Sequence, residues 1–312
     1  MSRKHIAVLC ANPALDVEWR VDGVRPEEKN RILEERCWAG GKGVNVARWL
    51  RWLGLRVRLV LPAGGAEGRE LAGALRREGI PCEVVEVGAA TRVNVLVTDP
   101  SGRQWRFNRS GPELRAREWR AVVERFEAAL EGAALAVLSG SLPPGAPADG
   151  YAVLLGHARR VGVHTVLDCD GEALRNALAA GPFLVKPNGE ELAAWWGRRF
   201  RTEQGVVRAA RAMSKVSGGW VLVSRGPDPA WLIRAEPSAA HRARPPEVRL
   251  RNRLGAGDAL VAGVCRSIVA GEGPERWLRG GLDTAAVCLG CEPGRLPARP
   301  AGERLRRAGL RT

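Results

Sequence analysis

The chain has 312 residues, 45% of them hydrophobic, so it can bury a sizeable core as one large α/β domain or two small ones. Its formal net charge of +15 would suit a nucleic-acid or membrane partner, but the basic residues are spread along the chain without a long run, and neither partner is expected. No apolar stretch approaches the roughly 20 residues that span a bilayer, and the opening MSRKHIAVLC lacks a signal-peptide core and cleavage site, so a cytoplasmic protein is expected.

In chain order, HIAVLC reads as a buried strand, GVNVARWLRWLG as an amphipathic helix closed by Gly54, RVRLVLPAG as a strand and EGRELAGALRREGI as a helix. LAVLSG, a helix through YAVLLGHARRVG, HTVLDC, FLVKPN, a helix from Gly189, WVLVSRG and a helix after Gly257 follow. Short apolar strands separated by helices predict a parallel sheet covered on both faces, hence an α/β fold. Two regions break this rhythm. ALDVEWRVDGV with NRILEERCW, and RVNVLVTDPSGRQWRFNRSG with its turn at Pro100 to Gly102, alternate with a period of two and have no helix between partners. They predict a small accessory sheet, a lid built from about 15–38 and 91–109. No repeat or linker divides residues 1–312, and a single domain is expected.

Seven cysteines without regular spacing do not make a disulfide framework, and neither the Cys288/Cys291 pair nor the four isolated histidines complete a metal shell. The basic residues comprise 44 arginines and only five lysines. Lysine kept in so arginine-rich a chain marks places where a compact ammonium is needed. Lys42 and Lys186 sit in glycine- or proline-marked motifs, and Lys29 lies shortly before one.

Two of those motifs are glycine turns that open helices. In CWAGGKGVNVARWL, Gly40-Gly41-Lys42-Gly43 aims backbone N–H groups and one ammonium at whatever binds there, without the spacing of a Walker loop. In RNRLGAGDALVAG the same geometry recurs with Asp258 in the first helical turn. A first-turn aspartate also stabilises a helix dipole with no further role. Two anion sites in one chain fit a phosphoryl donor and a charged acceptor.

NPALD after the first strand, AGGKGVNVA, TRVNV, SGSLPPG, VKPNGEEL and GAGD occur in this order and at these intervals in the ribokinase-like PfkB family of sugar kinases, which the chain resembles over nearly its whole length. The set is most similar to the branch of 1-phosphofructokinase and tagatose-6-phosphate kinase. The resemblance implies a three-layer α/β/α sandwich with a β-sheet lid, often dimeric through that lid, using ATP and Mg²⁺. It implies that Asp258 takes the proton of the attacking sugar hydroxyl while Gly255, Ala256 and Gly257 offer N–H groups to the transferred phosphoryl group.

By the same resemblance, Asp16 holds sugar hydroxyls, Gly40, Gly41 and Asn45 contact the sugar, and Lys42, Arg92 and Asn94 face the acceptor's own phosphate, with Ser139 nearby and Lys29 as an outer addition. Lys186, Asn188, Ser224 and Gly226 lie along the nucleotide, and Asn188 with Glu191 organise Mg²⁺ largely through water. Three departures fall in the donor motifs: SRGPDP, with Arg225 and Pro229, replaces a more glycine-rich loop; Arg253 stands where a threonine is usual; PGRLP, with Arg295, replaces a glycine-rich turn. The expected activity is ATP-dependent phosphorylation of a ketohexose phosphate, fructose 1-phosphate first and tagatose 6-phosphate as the alternative. A sugar-phosphate-binding protein with a degraded nucleotide site is the alternative from another class.

Overall fold

Residues 6–11, IAVLCA, are apolar at every position because the strand they form is covered on both faces. Ile6, Val8 and Cys10 point into one core and Ala7, Leu9 and Ala11 into a second on the opposite side, as the two-residue period of a strand requires. A computed structural model describes residues 4–298 of the chain.

The first half of the chain builds β1 (His5–Leu9), β2 (Ala14–Val21), β3 (Ile32–Gly40), α1 (Lys42–Trp52), β4 (Val57–Ala63), α2 (Gly65–Arg77), β5 (Cys82–Glu86), β6 (Arg92–Thr98) and β7 (Gln104–Phe107). The second half adds α3 (Ala116–Leu130), β8 (Ala133–Ser139), α4 (Gly150–Arg160), β9 (Thr165–Asp168), α5 (Gly171–Leu178), β10 (Leu184–Val185), α6 (Gly189–Trp196), α7 (Glu203–Ser217), β11 (Trp220–Arg225), β12 (Asp228–Arg234), β13 (Ala239–Ala243), α8 (Ala256–Val269) and α9 (Pro274–Leu289). No helix among the described residues is long and apolar enough to cross a membrane.

The main sheet has the order β13-β12-β11-β10-β9-β8-β1-β4-β5. Helices α1, α2, α8 and α9 cover one face, and α3 to α7 the other. From β5 to β11 the strands are parallel, as the alternation predicts; β12 and β13 return antiparallel and close one edge. This hairpin is a correction to the all-parallel expectation. Its strands are joined to β11 by tight connections with no room for a crossover helix, so only antiparallel pairing is open to them.

Strand β1 lies between β4 and β8, so the chain leaves it towards both sides of the sheet. That is a topological switch point, and the crevice beyond the carboxyl ends of β1 and β8 is where an open α/β sheet admits a ligand. The second sheet, β3-β2-β6-β7, stands over this crevice as the predicted lid. Its register sets Asp16 beside Asn94 and Leu96 beside Arg106.

Candidate active site

A cleft of about 1160 Å³ runs between the lid and the carboxyl ends of the parallel strands. Its floor follows from the topology: Gly140 and Ser141 continue β8, Asp168 ends β9, Lys186 follows β10 and Ser224 lies at the end of β11. Asp16, Arg92, Asn94 and Arg106 enter it from the lid.

At the centre the two glycine turns meet. Gly255 has φ 76°, a left-handed conformation that a side chain would resist, and it turns the backbone so that α8 starts at Ala256. No side chain caps the first turn of α8, which leaves its leading N–H groups without intrahelical partners at the cleft. Asp258 sits in the same turn, only 6% exposed, and its Oδ2 accepts a hydrogen bond of 2.8 Å from the Asn45 amide on α1. Burial pushes its pKa up to about 7, with the Asp168 charge adding to the effect; the Asn45 hydrogen bond and the Lys42 and Lys186 charges work against it. A carboxylate so placed is poised to accept a proton near neutrality.

The acceptor half is built on β2 and β6. Asp16 accepts a 2.9 Å hydrogen bond from Asn94, and burial raises its pKa to about 6 despite that bond. Gly40 lies flat against it: a Cβ there would fall 2.0 Å from Asp16 Oδ2. Gly41 lines the cleft as the residue before α1. The Arg92 guanidinium is held by three main-chain carbonyls, those of Asn12, Pro13 and Arg109, at 2.7, 3.3 and 2.8 Å.

The other half gathers charge. Lys186, 4% exposed, places Nζ 3.2 Å from Asp168 Oδ1, and Lys42 Nζ lies 3.6 Å from both Asp168 and Glu191. Burial opposes the Lys42 charge, but the two carboxylates outweigh it and raise its pKa. Asn188 caps α6, accepting from the N–H groups of Glu190 and Glu191 while Glu191 Oε2 accepts from Asn188 N, a reciprocal capping box that fixes both side chains. Asn188 pairs with Ser224, and Gly226, with φ 60°, makes the turn into β12. Beyond them the wall is largely apolar, with Ala230, Pro245, Val248, Leu282 and Ala286, interrupted by Glu247.

Two of the expected residues stand outside this arrangement. Lys29 lies in the exposed connection between β2 and β3 and does not line the cleft, and Ser139 is fully buried at the end of β8, so Ser141 is the serine of that motif that reaches the cleft. The three arginines of the altered motifs also do not converge. Arg225 lines the cleft, neutralised by Glu203 and Asp228 at 3.5 and 3.4 Å, whereas Arg295 ion-pairs with Glu292 on a turn whose Gly294 packs against Trp38 of the lid. Sequence reasoning missed Asp168, which holds both lysines; its signal was an acidic residue closing the apolar run TVLD at a strand's carboxyl end. It also missed Arg106, whose place in the cleft depends on where the lid folds.

Residues 10–300 match the family model described as pfkB family carbohydrate kinase. The ATP-dependent 6-phosphofructokinase isozyme 2 of Escherichia coli is 35% identical over 282 residues, covering 89% of this chain and 90% of that protein. The 1-phosphofructokinase of Rhodobacter capsulatus is 36% identical over 268 residues, 85% and 84% of the two chains. The crystal structure of E. coli phosphofructokinase-2 in complex with potassium superposes with a TM-score of 0.87 at 32% identity, over 96% of each chain. With a buried carboxylate beside a helix start and a lysine-rich floor, the chain is a sugar-phosphate kinase and belongs to the pfkB family of carbohydrate kinases.

Proposed function

We propose that the chain transfers the γ-phosphoryl group of ATP to the free terminal hydroxyl of fructose 1-phosphate, giving fructose 1,6-bisphosphate and ADP. The observation that carries this reading is Asp258, a buried carboxylate held by Asn45 in the same turn as the unpartnered N–H groups of α8. The hydroxyl proton passes to Asp258, the sugar oxygen forms its bond to the γ-phosphorus, and the bond from that phosphorus to the β–γ bridging oxygen breaks as ADP leaves. Gly255, Ala256 and Gly257 direct N–H groups at the charge that develops on the phosphoryl oxygens, an arrangement set before the reaction and costing no reorganisation. Asp16 and Asn94 orient the sugar, Gly40 and Gly41 shape its seat, and Lys186 and Lys42 offset donor charge in a cleft the lid shields from water.

Asn188 and Glu191 would hold Mg²⁺, with Asp168 close by. The set is hard oxygen, as that ion prefers, and the buried Asp168, ion-paired through Oδ1 with Lys186 and Lys42, adds a carboxylate beside it. Among the described residues no cluster of His, Cys, Asp or Glu could hold a metal alone, which suits an ion that keeps its waters and takes phosphate oxygens as ligands. When bound, Mg²⁺ supplies charge neutralisation on the phosphates. A homodimer through the lid fits the exposed Ile32 and Leu33 on its edge strand β3.

A second reading, fructose 6-phosphate as acceptor with the same product, is favoured by the 35% identity to the 6-phosphofructokinase isozyme of E. coli. Coupled ADP release with fructose 1-phosphate, fructose 6-phosphate, tagatose 6-phosphate and free fructose separates these. The expected result is the highest kcat/KM with fructose 1-phosphate. Tight binding of a phosphorylated ketose with no turnover by any nucleotide would turn the conclusion towards a binding protein.

A further inference from the structure

Among the described residues, Trp38 is the one aromatic side chain that lines the cleft. Strand register pairs it directly with Asp16 across β2 and β3, so the indole and the carboxylate project side by side from one face of the lid. Trp38 also lines a small cavity of about 60 Å³, which it shares with Asp16, Asn45, Leu254 and Gly255. The ring is only half-buried, so filling the core is not its whole role.

Gly294 backs this ring. A Cβ at Gly294 would stand 2.4 Å from Cδ2 of Trp38 and 2.7 and 2.8 Å from Cε2 and Cε3, the two ring atoms on either side of Cδ2. Those distances are those of a point above the ring plane, not beside it, so the backbone of Gly294 lies flat on one face of the indole. Its φ of 68° is a second, independent demand for glycine. The turn itself is pinned from two elements. Arg48 on α1 donates to the Gly294 carbonyl at 2.7 Å, and Arg36 on β3 donates to the Pro293 carbonyl at 3.2 Å.

A ketose presents hydroxyls, which Asp16 and Asn94 can meet, and C–H faces, which a carboxylate and an amide cannot. An aromatic ring removes such a face from water, and a ring already held in place loses little freedom in doing so. We propose that Trp38 is an acceptor-binding platform, against which the C–H face of the ketose packs while Asp16 beside it takes the hydroxyls, with Gly294 as the positioning residue behind the ring. This rests on the reading of the chain as a kinase of a phosphorylated ketose. Asn45, which lines the same cavity, holds Asp258, so a sugar seated on the indole is carried beside the base. The platform reads the carbon skeleton and not the phosphate.

The test uses Trp38→Ala, Trp38→Phe, Gly294→Ala and the double variant Trp38→Ala/Gly294→Ala, with calorimetric binding of fructose 1-phosphate, steady-state kinetics with ATP, and inorganic phosphate as a competitor of the sugar phosphate. Trp38→Ala should weaken fructose 1-phosphate by about five- to thirtyfold, with the KM for ATP and the inhibition constant of inorganic phosphate each moving less than about twofold. Trp38→Phe, which keeps a ring, should stay within about threefold of the unmodified protein. Gly294→Ala should weaken the sugar phosphate in the same direction although it adds an atom outside the sugar's reach, and the double variant should match Trp38→Ala, because Gly294 acts only through the ring. Unchanged sugar-phosphate affinity in Trp38→Ala of an active enzyme would overturn the platform alone. So would a parallel loss for inorganic phosphate or ATP, which marks general distortion of the cleft, or a Trp38→Phe as weak as Trp38→Ala at unchanged melting temperature. Absence of turnover and of binding with every phosphorylated ketose in the unmodified protein would overturn the function and the platform together.

Discussion

Asn45 donates its side-chain amide to Asp258 Oδ2 at 2.8 Å, joining the helix after the first glycine turn to the helix after the second across 213 residues. The bond orients the carboxylate and leaves Oδ1 for the substrate. Asp258→Asn keeps the shape and an acceptor for Asn45 but removes the base. It should lower kcat by on the order of 10²–10⁴ while the acceptor Kd stays within a few fold. Single-turnover kinetics and calorimetry check the two halves separately; kcat close to that of the unmodified enzyme would return Asp258 to a helix-dipole role.

The same substitution should stabilise the unliganded fold. With a folded pKa of about 7 against the usual carboxylate range near 4, the folded chain retains a proton on Asp258 that the unfolded chain has released. Stability from this group is therefore full below about pH 4 and is lost as pH rises through about 7. Asp258→Asn should gain up to a few kcal/mol at pH 8 and progressively less towards pH 4. Thermal melts of both proteins at several pH values read this directly, and a gain that grows towards acid would contradict it. On the kinetic side, kcat/KM of the unmodified enzyme should fall below an apparent pKa near 7, since the base must be ionised in the free enzyme.

What the sequence disclosed and what it withheld have different physical origins. Glycine turns feeding helices are local, so Gly40-Gly41-Lys42 and Gly255-Ala256-Gly257 could be placed at helix starts from spacing alone, and period-two alternation marked all four lid strands. Charge pairing is not local. Nothing in the neighbourhood of Lys42 shows that its ammonium meets the end of β9 and the first turn of α6. Arg295 looked like a donor-side residue in its motif, yet the turn that carries it is tied to the lid by Arg36, which bonds Glu292 and the Pro293 carbonyl. The hairpin escaped at β13, the edge strand, whose AAHRA alternates half-buried and exposed positions and gives a weaker apolar signal than the buried strands beside it.

Gly40→Ala should act on the acceptor and spare the donor. The added Cβ would occupy the position of the Asp16 carboxylate, 2.0 Å from its Oδ2 and 2.2 Å from its Cγ, so Asp16 must move and its bond to Asn94 must change. A displacement of this size at a positioning group is expected to lower kcat/KM for the sugar phosphate by about 10²-fold, with the KM for ATP little altered. Comparison with Asp16→Ala gives the control: if steric displacement of Asp16 is the cause, the double variant should be no worse than Asp16→Ala alone.

Base selectivity should be low. The wall beyond Ser224 presents Ala230, Pro245, Val248, Leu282 and Ala286, whose side chains offer only apolar contact, and the exposed Glu247 is the one carboxylate of the 245–250 segment that lines it. Arg225, the altered residue nearest the donor half, is neutralised by Glu203 and Asp228 and has little free charge to direct at a base. The phosphates, met by Lys186 and the first turn of α8, then supply most of the donor's affinity. We expect kcat/KM for ATP and GTP to differ by less than about tenfold, or about 1.4 kcal/mol, at saturating sugar phosphate. Arg225→Leu should leave that ratio unchanged within about twofold, because an already neutralised guanidinium contributes little to discrimination. A preference for ATP well beyond tenfold would mean that main-chain groups of the 245–250 segment read the base, and substituting Pro246 or Glu247 should then shift the ratio where Arg225→Leu does not.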